Sequence, residues 1–130
     1  MTDAELVEGF ESCTLPGGFH HADHVRLAHI YLGRLPMLEV LGKLSDGLAA
    51  LARARGHAGR YHQTITWANV FLIQERLLRA DRRQSWRQFA EENADLLDWQ
   101  SPILERYYWS GTLNSPLARQ TFLMPDRVAD

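Results

Sequence analysis

The chain has one cysteine, a formal net charge of only -2 and no long apolar run. A lone cysteine, Cys13, excludes an internal disulfide and a disulfide-stapled scaffold. It also excludes zinc sites built from four cysteines or from two cysteines and two histidines. The near balance of charge, with a sequence pI of 6.3, argues against a broad nucleic-acid surface and against a disordered, highly charged chain. No stretch reaches the roughly 18 apolar residues that a membrane span needs. Met1-Thr2-Asp3-Ala4-Glu5 is acidic and leads into no apolar signal region, so the expected location is the cytoplasm. Cys13 has no cationic neighbour in sequence to activate its thiol, and reads as a small half-buried side chain rather than a nucleophile. No segment alternates apolar and polar residues with β-branched enrichment, so a sheet is not expected.

What is present is helical periodicity. Leu6, Val7 and Phe10 mark a short first helix over 2–12, and Thr14-Leu15-Pro16-Gly17-Gly18 breaks the chain. A second helix fits 21–34, with Asp23 in its first turn and an apolar set (Val25, Leu27, Ala28, Ile30, Tyr31, Leu32) that suits a central position. A third fits 37–55, with Leu38, Leu41, Leu44, Leu48 and Leu51 at spacings of three and four. Gly42 and Gly47 interrupt it, and close helix–helix contact could account for them. Residues 56–60 read as a loop. A fourth helix should start at Tyr61 or His62 and reach Ala80. Ser85 should cap a fifth helix ending near Asn93 or Leu97. A short helical piece is expected over 103–109, and Ser115-Pro116 should open another reaching about Leu123. The expected fold is an all-α single-domain bundle over residues 1–130, with four longer helices and two or three short ones.

Six histidines are many for this length. Phe19-His20-His21-Ala22-Asp23-His24 places His21 and His24 three residues apart, on one face of a helix starting near His21. His29 falls off that face, and His57 lies in a loop. Gly59-Arg60-Tyr61-His62-Gln63-Thr64-Ile65-Thr66 places His62 at another helix start, with Thr66 and Asn69 on its face beside Ile65 and Ile73. If the two helix starts meet, His21, His24 and His62 converge. They could then ligate a divalent metal, Zn or Fe foremost and Ni or Cu also possible for imidazole, with a position left open for catalysis. The same residues could form a metal-free polar pocket, or be structural. The His pair lacks the adjacent Glu that makes a helical zinc motif specific. Thr64 and Thr66 could bond back to carbonyls one turn earlier.

Glu75 is either a buried acid/base carboxylate or an exposed partner of Arg79. Arg26 should pair with a carboxylate. Tyr107-Tyr108-Trp109 reads first as core capping, although a phenol such as Tyr107 facing a histidine site could donate a proton. Trp67 could line the same cavity. The arginines at 76, 79, 82 and 83 read as a solvated face.

Phe19-x-His21-x-x-His24-x-Arg26-x-Ala28, together with Tyr61-His62-x-Thr64-x-Thr66, resembles a family of small uncharacterised bacterial all-helical proteins. Asp95-Leu96-Leu97-Asp98, Arg106-Tyr107-Tyr108, Ser115-Pro116-x-Ala118-Arg119 and Pro125-Asp126 extend that resemblance across residues 19–127. It implies no substrate. It directs attention to His21, His24 and His62 rather than His20, His29 or His57.

The leading expectation is a small cytoplasmic enzyme acting on a small anionic or polar molecule. His24, His62, Tyr107 and Glu75 would be catalytic, Thr66, Trp67 and Asn69 would bind substrate, and His21, His24 and His62 would hold any metal. The rival is a non-enzymatic small-molecule-binding or protein-interaction module with structural histidines, in which exposed aromatics form a partner or homodimer contact. Neither a nucleic-acid partner nor a membrane is expected.

Overall fold

The computed structural model describes residues 1–15 and 19–127 and is all-α, with no strand among them. The helices are α1 Asp3–Glu11, α2 His21–Leu32, α3 Met37–Ala54, α4 Gln63–Arg79, α5 Trp86–Glu92, α6 Ala94–Leu97, α7 Ser110–Leu113 and α8 Pro116–Gln120. Short 3-10 turns occupy Ala58–Arg60 and Ile103–Arg106. No helix among the described residues is long and apolar enough to cross a membrane. The expected all-α single domain is present, and its residues gather into two compact units that divide between Tyr61 and His62. The expected break at Pro16-Gly17-Gly18 lies outside the described residues.

In the first unit α1, α2 and α3 pack on one another. Thr2 and Glu5 form a reciprocal capping box at the start of α1, satisfying two backbone N–H groups that a helix leaves unpaired. The buried side is Leu6 and Phe10 on α1, Val25, Leu27, Ala28, Ile30 and Tyr31 on α2, and Val40, Leu41, Leu44 and Leu51 on α3. Leu38, expected to join the α3 stripe, is 82% exposed, and Val40 takes a place in the core instead. Three polar contacts tie the helices together. The Arg26 guanidinium donates to Asp3 at 2.7 Å, while Glu11 accepts from the Tyr31 hydroxyl at 2.9 Å and the Lys43 ammonium at 2.8 Å.

The two glycines of α3 separate cleanly. A Cβ at Gly47 would lie 2.3 Å from the Phe10 ring, so the missing side chain lets α1 and α3 approach. A Cβ at Gly42 would meet nothing within 4 Å. Close contact therefore explains Gly47 and leaves Gly42 without a packing reason.

In the second unit α4 packs against α8 and the 3-10 turn. Thr64, Ala68, Val70 and Ile73 of α4 are buried, with Phe89, Leu96, Ile103, Leu104, Tyr108 and Ala118. The expected fifth helix splits at Asn93. Its backbone N–H and its side-chain amide both donate to the Phe89 carbonyl at 2.9 Å, which ends the regular ladder there. The expected 103–109 helix is a single 3-10 turn followed by the separate turn α7. The Ser115-Pro116 start is present, with the Ser115 hydroxyl accepting from the Ala118 N–H, but α8 stops at Gln120.

Opposite effects are expected from the two glycines in urea melts. Gly42→Ala should stabilise by up to about 1 kcal/mol, because it removes backbone entropy at an open helical site. Gly47→Ala should destabilise by about 1–3 kcal/mol, because the methyl group meets an aromatic ring. Two changes of the same sign would refute the contact.

Candidate functional site

The sequence-selected residues fall in both units. In the first, His21 and His24 stand one turn apart at the start of α2, as their spacing requires. Asp23 reaches back and accepts the His20 backbone N–H at 2.9 Å, so this carboxylate closes the helix entrance. The His24 ring stacks on Phe19, with centroids 4.4 Å apart and planes 22° from parallel, and Phe19 in turn lies 6.2 Å from Phe10. Burial pushes the His24 imidazole down to about 4, the neighbouring His21 adds to this, and Asp23 opposes it. His24 is therefore neutral at pH 7. Arg26 is engaged by Asp3, as expected of a cation paired with a carboxylate.

A shallow cleft of about 490 Å³ in the same unit is lined by Ala4, Val7, Glu8, Glu11, Ser12 and Arg34. No histidine lines it.

In the second unit His62 is 8% exposed and is the N-cap of α4. Its Nδ1 accepts the Ile65 N–H at 3.1 Å, which places the ring proton on Nε2. Nε2–H then donates to the Leu113 carbonyl at 2.7 Å. Both nitrogens are engaged with backbone, so neither offers a lone pair to a metal or a substrate proton in this arrangement. Burial pushes this imidazole down as well, with Arg119 adding to the effect and the Leu113 carbonyl opposing it. Among the described residues no group of three or more His, Cys, Asp or Glu side chains is placed to hold a metal ion.

The proposed substrate-binding residues are also engaged within the fold. The Thr66 hydroxyl donates to the His62 carbonyl at 2.7 Å, and the Asn69 amide donates to the Ile65 carbonyl at 2.9 Å. Both bonds reach back one helical turn, satisfying carbonyls near the start of α4. Trp67 belongs to an aromatic cluster, stacked on Phe122 at 6.0 Å and edge-on to Phe71 at 6.4 Å. Glu75 is exposed and lies 3.7 Å from Arg79, the surface pair rather than a buried acid. Tyr107 is half-buried and grouped with Arg76, whose guanidinium donates to both Asp95 carboxylate oxygens at 3.0 and 2.8 Å and to Asn93 at 2.9 Å. The buried phenol is its neighbour, Tyr108.

Two residues given no site role in the sequence organise this unit, and one of them, Thr64, bonds distant backbone rather than a carbonyl one turn earlier. Thr64 is fully buried; its hydroxyl donates to the Thr121 carbonyl at 2.8 Å and accepts the Leu123 N–H at 3.1 Å. Asp126 accepts the Trp109 N–H at 3.1 Å and the Thr112 hydroxyl. The sequence signals were a threonine on an apolar helix face, an acid after the last proline, and the place of both residues in the segments that carry the family resemblance.

Removing the His62 ring should be costly without any ligand present. His62→Ala loses a helix cap and leaves the Leu113 carbonyl unpaired, together about 2–3 kcal/mol in chemical denaturation. His62→Asn keeps capping capacity and should recover part of that loss. Equal stability of wild type and His62→Ala would contradict both bonds.

Acid should weaken the fold through His24. Between pH 6.5 and about 4 the unfolded chain binds a proton that the folded ring refuses. The stabilisation present above 6.5 is therefore lost as pH falls to about 4, by up to about 3 kcal/mol. His62 acts in the same direction. His24→Phe should keep the stack on Phe19 and flatten the stability curve across this window, as read by urea midpoints at successive pH values. An unchanged slope would remove His24 as the source.

No family model matches the chain, and no curated protein or solved structure matches it, so its function is argued from these residues alone.

Proposed function

We propose that this chain is a non-enzymatic helical binding module in which His24 and His62 are structural. The observation that carries this reading is His62, with one ring nitrogen capping α4 and the other bonded to the Leu113 carbonyl. Thr66, Asn69 and Glu75, the other expected site groups on α4, likewise have partners inside the fold or on its surface. The large apolar groups that face solvent include Phe71 at 40% exposure, Trp99 at 59% and Trp109 at 54%, beside Leu38, Leu78, Leu117 and Met124, and most arginines are exposed. Aromatic and arginine side chains are the types enriched where proteins contact partners. In this reading the molecule works by presenting surface.

The direct test is a metal titration of the freshly purified chain with Zn(II), Fe(II), Ni(II) and Cu(II), followed by thermal unfolding. A metal held by the native state at a hundred times its Kd would add about 2.7 kcal/mol and raise Tm by several degrees. The expected result is no saturable rise with any of the four ions. A rise that saturates and disappears in His62→Asn would replace this reading with the metal-dependent enzyme.

A further inference from the structure

The end of α3 and the turn behind it, both in the first unit, hold Arg53, Arg55, His57 and Arg60, all exposed. No Asp or Glu occurs in the sequence between Asp46 and Glu75. Six cations elsewhere, Arg26, Lys43, Arg76, Arg79, Arg82 and Arg87, each lie against a carboxylate. The side chains of Arg53, His57 and Arg60 form no ion pair or hydrogen bond among the described residues.

The backbone brings these charges together. Gly56 adopts a positive φ of 72°, and the His57 N–H donates to the Ala52 carbonyl at 2.7 Å, a helix-ending reversal. The 3-10 turn Ala58–Arg60 then packs back against α3, returning Arg60 to the end of the helix that carries Arg53 and Arg55. Arg55 is steadied by donating to the Leu15 carbonyl at 3.2 Å. A cation in the last helical turn is favoured by the helix dipole, which accounts for Arg53. It does not account for further cations beyond the helix with no acid among them, where like charges repel.

We propose that this end of α3 binds the phosphoryl group of a phosphomonoester, with Arg53 and Arg60 as the ligating guanidiniums and Arg55 and His57 flanking them. The inference names a ligand for the non-catalytic binding reading and rests on it. A guanidinium fork matches adjacent phosphoryl oxygens, and a dianion suits several positive charges. Residues 47–60 contain no Phe, Tyr or Trp on which a base could stack, which sets this surface apart from the aromatic platforms of single-strand nucleic-acid sites. Cβ positions at Gly56 and Gly59 meet nothing within 4 Å, so the turn is open at both glycines. A soluble phosphomonoester and a phosphatidate headgroup share this chemistry.

The test is a titration of the full chain with inorganic phosphate, followed by backbone amide NMR against sodium chloride at matched ionic strength. Saturable shifts confined to residues 53–61 are expected. The Arg53→Gln, Arg60→Gln double variant should weaken them at least about tenfold with Tm unchanged, since both side chains are exposed. The Arg79→Gln, Arg87→Gln control should bind as wild type does. Cosedimentation with phosphatidate vesicles but not phosphatidylcholine vesicles would assign the headgroup as the source, and phosphate binding without cosedimentation would assign a soluble ligand. Shifts reproduced by sodium chloride, or unaffected by the double variant, would overturn the proposal. So would binding of a single-stranded oligonucleotide in the absence of any phosphate response. A His62-dependent metal effect with an intact phosphate response would instead overturn the non-catalytic reading and leave this site standing.

Discussion

Two side chains at the start of α4 hold backbone that lies some fifty residues further along the chain. His62 bonds the Leu113 carbonyl, and Thr64 bonds both the Thr121 carbonyl and the Leu123 N–H. Residues 121–127 form no helix or strand, so their backbone polar groups cannot satisfy one another through a regular ladder. Several of them are paired instead by side chains or backbone from elsewhere in the unit. Tyr108 donates its hydroxyl to the Leu123 carbonyl, the Tyr107 carbonyl accepts the Asp126 and Arg127 N–H groups, and the Asp126 carboxylate accepts from Trp109 and Thr112. The second unit thus depends on polar side chains placed with their partners already matched. No buried side-chain nitrogen or oxygen among the described residues lacks a partner.

This requirement explains why several residues that look catalytic in sequence have hydrogen-bond partners within the fold. A buried imidazole is costly unless both nitrogens are paired. At His62 the pairing is achieved with backbone, which fixes the tautomer and removes the free lone pair that chemistry needs. His24 meets the same problem differently: it remains neutral and stacks on Phe19. The first unit relies on one carboxylate in a comparable way. Glu11 receives both Tyr31 and Lys43, joining α1 to the other two helices, and these contacts hold its carboxyl below the usual carboxylate range.

Helix positions were legible because apolar spacing and capping residues are local signals. Ser85, Ser115-Pro116 and the Pro36 boundary of α3 stand where sequence placed them. The pairing of Glu75 with Arg79 was also legible, since it depends only on four-residue spacing. The end of α5 at Asn93 was one of the two ends expected; less legible was the break between the Ile103–Arg106 turn and α7, where a distant acid accepts the Trp109 N–H and no local pattern announces it. Leu38 shows the limit of periodicity: it has the spacing of a core residue but lies on the open side of α3.

The sequence by itself determined an all-α chain, the places where most helices start, the His21–His24 spacing and the acid-free basic stretch after Asp46. These follow from propensity, capping and composition, each acting over a few residues. Only the tertiary structure decided which polar groups are already partnered. Gly47 became a contact and Gly42 did not, Thr64 became a clasp, and His62 became a cap. The physical reason is that a hydrogen-bond partner such as the Leu113 carbonyl lies far away in sequence and is chosen by packing. A sequence shows what a side chain can donate or accept; the fold determines what remains free to react.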